Sequence, residues 1–575
     1  MAIKVRKEII KIKNLFFKYP KTEKYALKNV SLSINEGDFI LVTGHGGAGK
    51  TTLCLAMTGL IPSLIPGEFN GNVEVCGKDT RSAQPHELAK DIGIVFQEPE
   101  TQFFTSSVEN DIAFPLENLM TPREEIRERI ENILRIMKLE PYREKTPYKL
   151  SGGEKQRVAT GIGLALRPKI MIYDEATSSL DPVGKYDVIE TIKSLHETYN
   201  ITSILVTHDI EETIEYANRM VVLEQGEIIL DGTPKEVVKK AIEMKSGIKY
   251  PTVSELGYLL NKKGYKMEIP ITLKDIKAEF QKYIFEKMKA ERIKKEEVEY
   301  GIQGLSPIVE VEDLEFFYPN EKIPALKRIN LKIFPGEFIS IIGSNGSGKT
   351  TLMKLIAGLL KPTKGKIKIK GEDIKNKSIS ELCKLVGYVY QYPEDQIFSS
   401  TVSEEIGFGP KNLGWPKDEV EKIVQDIAKK LGITDILDFS PFFLSRPEKR
   451  IVTLASILSM NPDILLLDEP TTGQDWQGSK KILELVRNLN KEGKTVILVT
   501  HDIRLVCEYA NRVVVMLNGE VLMDEPVRKT FAKREILKKA CVEVPQCTRL
   551  FHDLFGETVL TVEEAQKIIE NYLKL

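Results

Sequence analysis

Two stretches of the chain share a spacing of glycine, lysine and threonine that suits the binding of phosphate groups. Both fit the pattern G-x-x-x-x-G-K-[ST], and each follows an apolar run and precedes an apolar helical pattern. The glycines let backbone N–H groups turn toward phosphate oxygens, and the start of the following helix adds a favourable dipole. We expect Lys50 and Lys349 to reach the β- and γ-phosphates of a nucleotide, and Thr51 and Thr350 to bind Mg²⁺. The candidate phosphate-loop residues are Gly44, His45, Gly46, Gly47, Ala48, Gly49, Lys50, Thr51 and Thr52, and Gly343, Ser344, Asn345, Gly346, Ser347, Gly348, Lys349, Thr350 and Thr351.

An Asp-Glu pair follows an apolar run in each half of the chain. Asp174 and Asp468 end these runs, and carboxylates at the C-terminal end of a buried parallel strand suit the outer shell of a phosphate-bound metal. The next residues, Glu175 and Glu469, are candidates to polarise an attacking water. Loop capping is the alternative for an isolated pair. The matching spacing to the two phosphate loops favours catalysis.

A third motif is the string Leu150-Ser-Gly-Gly-Glu-Lys-Gln-Arg157. Ser151 and Glu154 have the spacing of a capping box, in which each residue satisfies a backbone N–H at the start of a helix. The glycines between them, Gly152 and Gly153, leave backbone donors exposed at that helix start. The string therefore predicts a helix whose N-terminus is open to an anion.

The phosphate loops, the Asp-Glu pairs and this string together resemble the ATP-binding-cassette (ABC) ATPases, and the resemblance covers nearly the whole chain. It implies that the protein hydrolyses ATP to drive a partner. In that family two domains pair head to tail, and each ATP lies between the phosphate loop of one domain and the signature loop of the other. The resemblance thus implies that the signature residues Ser151, Gly152, Gly153 and Glu154 contact nucleotide.

Four further pairs of positions receive roles from the same resemblance. They are Gln97 and Gln391, the Q-loop glutamines that contact Mg²⁺ and sense the partner; Asp181 and Asp475, the D-loop aspartates; His208 and His501, the switch histidines at the γ-phosphate; and Tyr19 and Tyr318, the aromatic residues that stack on adenine. Structural roles are the alternatives for the histidines, and ordinary positions at strand edges are the alternatives for the tyrosines.

The second signature loop departs from the family pattern, since it reads Leu444-Ser-Arg-Pro-Glu-Lys-Arg450. Its serine and glutamate still predict a capping box, and proline is tolerated in the first turn, so we expect the helix to form. Pro447 has no N–H to donate where Gly153 has one, and Arg446 puts a long side chain where backbone must approach closely. We therefore expect two unequal ATP sites, the weaker one using the phosphate loop of the first half.

The elements that position these residues occur twice. Ala26-Leu-Lys-Asn-Val-Ser-Leu-Ser-Ile recurs as Ala325-Leu-Lys-Arg-Ile-Asn-Leu-Lys-Ile, and the motifs follow in the same order in both halves. Short apolar runs that alternate with helical stretches predict an α/β fold: two tandem P-loop ABC ATPase domains, each with a helical signature subdomain and a small C-terminal extension. The predicted segments are 1–241, the first ABC ATPase domain; 242–285, its extension; 286–306, a charged linker; 307–537, the second ABC ATPase domain; and 538–575, its extension.

Composition limits the class of partner. The 82 basic and 83 acidic residues nearly cancel, so the charge balance does not call for nucleic acid. The six cysteines are scattered without metal-ligand spacing, which favours reduced thiols. Charges interrupt every apolar run before it reaches the length of a membrane span, and the start lacks a signal-peptide core. We expect a soluble chain. The family resemblance implies that it attaches peripherally to the cytoplasmic face of a membrane through another polypeptide.

The runs after the Q-loop glutamines point to a subgroup. Gln97-Glu-Pro-Glu-Thr-Gln-Phe-Phe and Gln391-Tyr-Pro-Glu-Asp-Gln-Ile-Phe resemble the Q-helix of energy-coupling-factor (ECF) transporter ATPases. This resemblance implies an integral membrane T component that docks near the Q-loops and a separate S component that binds the solute. The solute would be a vitamin, a vitamin precursor, or a cobalt or nickel ion. A generic ABC segment is the alternative.

Two other ATPase classes can be compared with the transport interpretation. A DNA-repair or SMC-type ATPase needs a long coiled coil between phosphate loop and signature, and the interval from Lys50 to Leu150 leaves no room for one. A soluble twin-cassette ATPase of the ribosome would need either an N-terminal cysteine cluster or a long basic tether, whereas 286–306 is short and mixed in charge. Transport is favoured over the ribosomal alternative.

Overall fold

A computed structural model describes residues 7–178, 180–283 and 305–573 of the chain. The chain divides into two compact units, Met1–Lys282 and Tyr283–Leu575. Most of the predicted linker, 286–304, lies outside the described residues. The two units repeat one architecture, as the internal repeat predicts.

The first unit contains two sheets. Its strands are β1 (Glu8–Lys18), β2 (Leu27–Asn35), β3 (Phe39–Gly44), β4 (Glu68–Val75), β5 (Lys78–Asp79), β6 (Ile92–Val95), β7 (Ile170–Asp174), β8 (Thr202–Val206), β9 (Arg219–Glu224) and β10 (Glu227–Gly232). One sheet is antiparallel, with the order β2-β1-β4-β5. The other has the order β10-β9-β3-β8-β7-β6 and is parallel except for β10 at its edge.

Helices cover these sheets and form the subdomain that carries the signature string. They are α1 (Lys50–Met57), α2 (Leu60–Ser63), α3 (Pro85–Leu88), α4 (Val108–Asn118), α5 (Arg123–Ile136), α6 (Gly152–Leu164), α7 (Pro182–Tyr199), α8 (Pro234–Met244), α9 (Thr252–Lys262) and α10 (Leu273–Tyr283). Buried side chains of α4, α5 and α6 belong to the same hydrophobic core as one face of the parallel sheet. The signature helix is therefore packed as part of the unit.

The second unit repeats both sheets. Its strands are β11 (Val309–Phe316), β12 (Leu326–Ile333), β13 (Phe338–Gly343), β14 (Lys364–Ile369), β15 (Glu372–Asp373), β16 (Val386–Val389), β17 (Ile464–Asp468), β18 (Thr495–Val499), β19 (Arg512–Leu517) and β20 (Glu520–Pro526). The orders are β12-β11-β14-β15 and β16-β17-β18-β13-β19-β20. The pairing of the large sheet is parallel except between β19 and β20.

The helices of the second unit also follow the first. They are α11 (Lys349–Ile356), α12 (Ile379–Cys383), α13 (Val402–Asn412), α14 (Lys417–Leu431), α15 (Arg446–Leu458), α16 (Trp476–Lys491), α17 (Ile503–Tyr509), α18 (Val527–Ala532), α19 (Arg534–Lys539), α20 (Gln546–Phe555) and α21 (Val562–Leu573). Among the described residues, no helix has both the length and the apolar character that a membrane span requires. None of the six cysteines forms a disulfide with another described residue.

The strand order explains how residues far apart in sequence come together. β7 and β17 are buried along their whole length and pair in parallel with their neighbours, which confirms the prediction that the runs ending at Asp174 and Asp468 are buried parallel strands. β8 and β18 are buried in the same way. β8 lies between β3 and β7, and β18 lies between β13 and β17. The chain segments that leave the carboxyl ends of these neighbours therefore meet at one edge of each sheet.

The extensions repeat as well. The hydroxyl of Ser254 in α9 donates to the Pro270 carbonyl at 2.5 Å, and that of Thr548 in α20 donates to the Val559 carbonyl, so equivalent hydroxyls close equivalent loops. The predicted boundaries do not coincide with helix ends. The one after residue 241 falls inside α8, and the one after residue 537 falls inside α19.

Candidate functional site

The phosphate loops owe their shape to glycine. Gly49 directly precedes α1 with a φ of 98°, and a Cβ atom there would lie 2.4 Å from the Ala26 carbonyl oxygen. Gly348 precedes α11 with a φ of 100°, and its Cβ would meet the side chain of Leu326 at 2.6 Å. Only glycine combines this backbone conformation with so close an approach.

The loop lysines are held within their own loops. The Nζ atom of Lys50 donates to the carbonyls of Gly44 and His45 at 3.0 and 2.9 Å, and the side chain is buried. Lys349 repeats the arrangement with Gly343 and Ser344 at 2.9 and 2.8 Å. Each loop thus curls around a buried cation, which is the charge that a polyphosphate requires.

The catalytic candidates after β7 and β17 adopt a strained backbone. Glu175 and Glu469 have φ values of 53° and 49°, in the left-handed region that non-glycine residues avoid at a cost of about 1–3 kcal/mol. Their backbone N–H groups donate to the carbonyls of Val206 and Val499 at 3.0 and 2.9 Å. These bonds to the neighbouring strand hold the turn that aims each carboxylate toward the switch histidine.

Carboxylate, histidine and lysine meet in the first unit. The Nε2 atom of His208 lies 3.0 Å from Oε1 of Glu175 and 3.3 Å from Nζ of Lys50. In the second unit, Nε2 of His501 lies 3.2 Å from Oε1 of Glu469. The structure therefore brings Lys50 close to a histidine that lies 158 positions later in the sequence.

A cavity of about 240 Å³ marks the same place in the second unit. Most of its lining consists of residues singled out in the sequence. The lining residues are Tyr318, Ala325, Asn345, Gly346, Gly348, Lys349, Thr350, Thr351, Gln391, Glu469, Val499 and His501. The phosphate loop, the Q-loop glutamine, the glutamate, the histidine and the tyrosine thus share one pocket.

Burial of the carboxylates shapes the electrostatics of both sites. Burial raises the pKa of Asp174 to about 6, although a hydrogen bond with Thr51 opposes the rise. Burial raises the pKa of Glu469 to about 8, the nearby Lys349 opposing the rise and the Asp468 carboxylate adding to it. In the second unit the consecutive carboxylates of Asp468 and Glu469 are both buried, and such a pair favours a nearby cation.

The oxygen donors at this edge fit Mg²⁺. The Thr350 hydroxyl donates to Oδ1 of Asp468 at 3.2 Å, and Gln391 lines the same cavity. In the first unit, Oδ1 of Asp174 is buried without a hydrogen-bond partner among the described residues. Hydroxyl, carboxylate and amide oxygens are the hard ligands that Mg²⁺ prefers, with nucleotide phosphates completing its shell.

Tyr388 is a site residue that sequence reasoning missed. Its hydroxyl donates to Oδ2 of Asp468 at 2.9 Å from the neighbouring strand β16. The first unit has Ile94 at the equivalent position of β6. The tyrosine inside the otherwise apolar run of β16 was the signal in the sequence that could have indicated this hydrogen bond.

The candidate adenine-stacking tyrosines lie beside the phosphate loops. The hydroxyl of Tyr19 is 3.2 Å from that of Thr52, and the hydroxyl of Tyr318 is 3.0 Å from that of Thr351. Tyr318 is partly exposed and borders the cavity, so one part of its ring remains accessible to a planar ligand.

Two further glutamines, also missed in the sequence, shape the Q-loops. Oε1 of Gln102 accepts a hydrogen bond from the Phe96 N–H at 3.1 Å, and Oε1 of Gln396 accepts one from the Tyr390 N–H at 3.2 Å. Each hydrogen bond therefore closes a short loop that contains the Q-loop glutamine, Gln97 in the first unit and Gln391 in the second. Their identical place in the two Q-runs was the signal in the sequence.

Both signature helices have the predicted capping box. The Ser151 N–H donates to Glu154, and the Ser445 N–H donates to Glu448, each at 2.8 Å. The helices α6 and α15 have the same length, 13 residues, although Pro447 stands in the first turn of α15. The prediction that this helix forms despite the altered sequence is confirmed.

The D-loop aspartates have a structural function within their own units. Oδ1 of Asp181 accepts a hydrogen bond from the Gly184 N–H at 2.9 Å, and Oδ1 of Asp475 accepts one from the Gly478 N–H at 2.7 Å. They cap α7 and α16. Neither Asp475 nor the string Ser445–Glu448 is among the residues that line the cavity of the second unit.

Comparison with known proteins identifies the family. The family model described as "ABC transporter" matches residues 27–178 and 326–472, about half of the chain. The chain belongs to the ABC transporter ATPases. A protein of Caldanaerobacter subterraneus subsp. tengcongensis, named as a predicted ABC transporter ATP-binding protein, is 39% identical over 97% of this chain and 98% of its own. A similarly named protein of Methanosarcina acetivorans is 38% identical over 95% of this chain and 90% of its own.

Among solved structures, CbiO1 of Clostridium perfringens, described as part of the ABC transporter complex CbiONQ, is 36% identical and covers 43% of this chain and 99% of its own, with a TM-score of 0.38. Family membership and the two matched segments make this chain an ATP-hydrolysing protein with tandem cassettes. The predicted fold class and the predicted ATPase activity are confirmed.

Proposed function

We propose that this ABC ATPase energises a membrane importer of the ECF type, which takes up a vitamin, a vitamin precursor, or a cobalt or nickel ion. It would attach to the cytoplasmic face of the membrane through an integral T component, with an S component binding the solute. Two MgATP would be bound head to tail between the cassettes, as the family pattern implies, and the altered second signature loop would weaken one of the two sites.

The observation that carries this proposal is a pair of exposed aromatic contacts, one in each unit. Phe104 and Phe114 stack with ring centroids 5.4 Å apart, and Phe398 and Phe408 meet edge to face at 4.5 Å. Phe104 is 71% exposed and Phe398 is 57% exposed. Clustered exposed aromatic residues mark interaction surfaces, and an apolar helix face of a membrane protein is a suitable cover.

The aromatic contacts are fixed to the signature subdomain by buried carboxylates. Oδ1 of Asp111 accepts hydrogen bonds from the N–H groups of Phe104 and Thr105 at 2.9 and 2.8 Å. In the second unit, Oε2 of Glu405 accepts them from Phe398 and Ser399 at 3.1 and 2.8 Å. A partner that displaces either aromatic contact would therefore also displace the first turn of α4 or α13, through these hydrogen bonds.

The same segments lead directly to the nucleotide site. Gln102, two residues before Phe104, accepts a hydrogen bond from the Phe96 N–H and donates one to the Ile94 carbonyl, both just before Gln97. The path from the exposed Phe104 to Gln97 thus consists of a few residues with fixed hydrogen bonds. This short connection supports a role for the Q-loops in sensing a docked partner.

At the nucleotide, the residues divide the work of hydrolysis. Glu175 or Glu469 would orient the attacking water, while the adjacent histidine and loop lysine would contact the γ-phosphate. Bound Mg²⁺ would neutralise charge on the β- and γ-phosphates. The left-handed backbone at each glutamate would hold its carboxylate beside the histidine before the water attacks.

The test is assembly in the membrane. The Phe104→Ser/Phe398→Ser variant and, separately, Asp395→Lys should each reduce recovery of the chain with integral membrane protein after detergent extraction of cells of the source organism. ATP binding should remain intact. Tyr199→Ser, which removes a similarly exposed aromatic residue at the end of α7, is the matched control. Asp395 is preferred to Glu100 because Glu100 is paired with Lys155 of the signature helix at 2.9 Å.

Two results would contradict the proposal. One is membrane recovery that is the same for the aromatic variant and for wild type. The other is co-sedimentation of the wild-type chain with ribosomes in place of membranes, which would favour a soluble twin-cassette ATPase of translation.

A further inference from the structure

The altered signature helix of the second unit carries a buried arginine that contacts the Q-loop. Arg450 in α15 is only 2% exposed. Its Nη1 atom donates to the Tyr390 carbonyl at 2.6 Å, and its Nη2 atom donates to the Gln391 carbonyl at 2.5 Å. One guanidinium thus joins the signature helix to the two backbone carbonyls at the start of the Q-loop.

The first unit lacks this charge. The equivalent position of α6 is Gln156, which is equally buried, and its Oε1 atom has no hydrogen-bond partner among the described residues. The flanking residues Lys155 and Lys449 are identical and pair with Glu100 and Glu394. The preceding lysine and its glutamate partner are thus shared by the units, whereas the residue that contacts the Q-loop backbone is not.

The surroundings explain how a buried guanidinium is tolerated. Burial lowers the pKa of Arg450 to about 10, while the carboxylates of Glu394, Glu469 and Asp468 oppose the decrease. The group remains charged at neutral pH, and two carbonyls accept hydrogen bonds from it. Charge-assisted bonds of this forked geometry are strong and directional.

We propose that Arg450 is a positioning residue of the second nucleotide site, holding the Gln391 loop against the signature helix so that Gln391 stays aligned with Glu469. The proposal rests on the proposed role of Gln391 as a Mg²⁺ ligand. The second signature string has thus lost glycines that serve the opposite ATP and has gained an anchor for the Q-loop of its own unit. Signature helix and Q-loop move as one body in the second unit.

The experiment uses the full chain and needs no membrane partner. Arg450→Gln gives the second unit the residue of the first, and it should lower steady-state ATP turnover by about 10- to 100-fold, since two charge-assisted bonds are lost. It should also raise the Mg²⁺ concentration needed for half-maximal turnover, while affinity for ATP without Mg²⁺ stays within about twofold. Arg450→Lys, which retains the charge but not the fork, should lie between Arg450→Gln and wild type.

A double-mutant cycle separates positioning from general stability. In a Gln391→Ala background, Arg450→Gln should have little further effect, because the side chain that it positions is gone. Arg129→Gln, which removes another arginine donating to a helix carbonyl (Ala165 at 2.9 Å), is the control for the loss of such a bond away from the site. It should leave the Mg²⁺ dependence unchanged.

The outcomes are distinguishable. Full turnover with normal Mg²⁺ dependence in Arg450→Gln overturns the proposal, as does an effect that persists undiminished in the Gln391→Ala background. If Arg450→Gln does not fold, wild-type turnover and Mg²⁺ dependence in Arg450→Lys overturn it. Unchanged Mg²⁺ dependence in Gln391→Ala alone refutes the Mg²⁺ role of Gln391, and the loss of turnover in Arg450→Gln still tests the anchor.

Discussion

The most informative perturbation compares Glu175→Gln with Glu469→Gln. Both glutamates lie within 3.2 Å of their histidines and have the same strained backbone, so the glutamate–histidine part of the two sites is alike. We expect the inequality to come from the signature loops. Under head-to-tail pairing, the altered loop would close over the ATP of the first phosphate loop.

The expected difference in rate between the two ATP sites follows from the loss of one backbone N–H donor. The capping boxes of α6 and α15 have the same 2.8 Å contact, so the helix starts are alike. At the second helical position Gly153 has an N–H and Pro447 has none. A hydrogen bond to a charged group contributes about 1.5–3 kcal/mol, which is about a 10- to 150-fold change in rate if it acts in the transition state.

The assay is phosphate release by the assembled transporter. Glu469→Gln should abolish nearly all turnover, because it disables the site closed by the intact loop, whereas Glu175→Gln should spare a substantial part. Adding Gly153→Pro to Glu175→Gln should then remove most of the remainder. Repair of the altered loop, Arg446→Gly/Pro447→Gly, should raise turnover of the otherwise wild-type chain.

Equal losses from the two glutamine variants, with no gain on repair, would refute this reasoning. Equal losses with a gain on repair would instead indicate that the two sites hydrolyse in obligatory concert.

Two more predictions concern binding and stability. Isothermal titration of the Glu175→Gln/Glu469→Gln variant with MgATP should give a stoichiometry near two, and a value of one with both phosphate loops intact would contradict paired sites. Asp209 pairs with Lys185 at 2.8 Å and Lys249 at 3.4 Å, which holds its pKa well below the ordinary value, so Asp209→Asn should lower the free energy of unfolding at pH 7 by about 1–2 kcal/mol. Because the pKa is depressed on folding, this difference should persist above about pH 4 and shrink as the pH falls below it, as urea unfolding at several pH values can measure. A stability difference between wild type and Asp209→Asn that grows on acidification would contradict this prediction.

The sequence alone determined the repeat and the fold class, and it supplied most of the candidate catalytic residues. Glycine, lysine and threonine spacing specifies a phosphate loop through local backbone requirements, as the φ of 98° at Gly49 illustrates. Capping boxes are equally local, which is why the second signature helix was predicted correctly despite Pro447. Continuous apolar runs indicated buried strands, because a strand that is buried on both faces has no alternation of apolar and polar residues.

The tertiary structure decided the contacts that depend on neighbours distant in the chain. The hydrogen bond from Tyr388 to Asp468 requires that β16 lie beside β17, and no local pattern encodes that order. In the sequence, Arg450 is only one of several changes in the second signature string. Its hydrogen bonds to the Q-loop depend on the packing of α15 against that loop. Phenylalanine is usually a core residue, so residue type alone would place Phe104 and Phe398 in the core. The tertiary structure shows that both side chains are exposed. Motifs are local and can be read from spacing, whereas burial and pairing are properties of the packed chain.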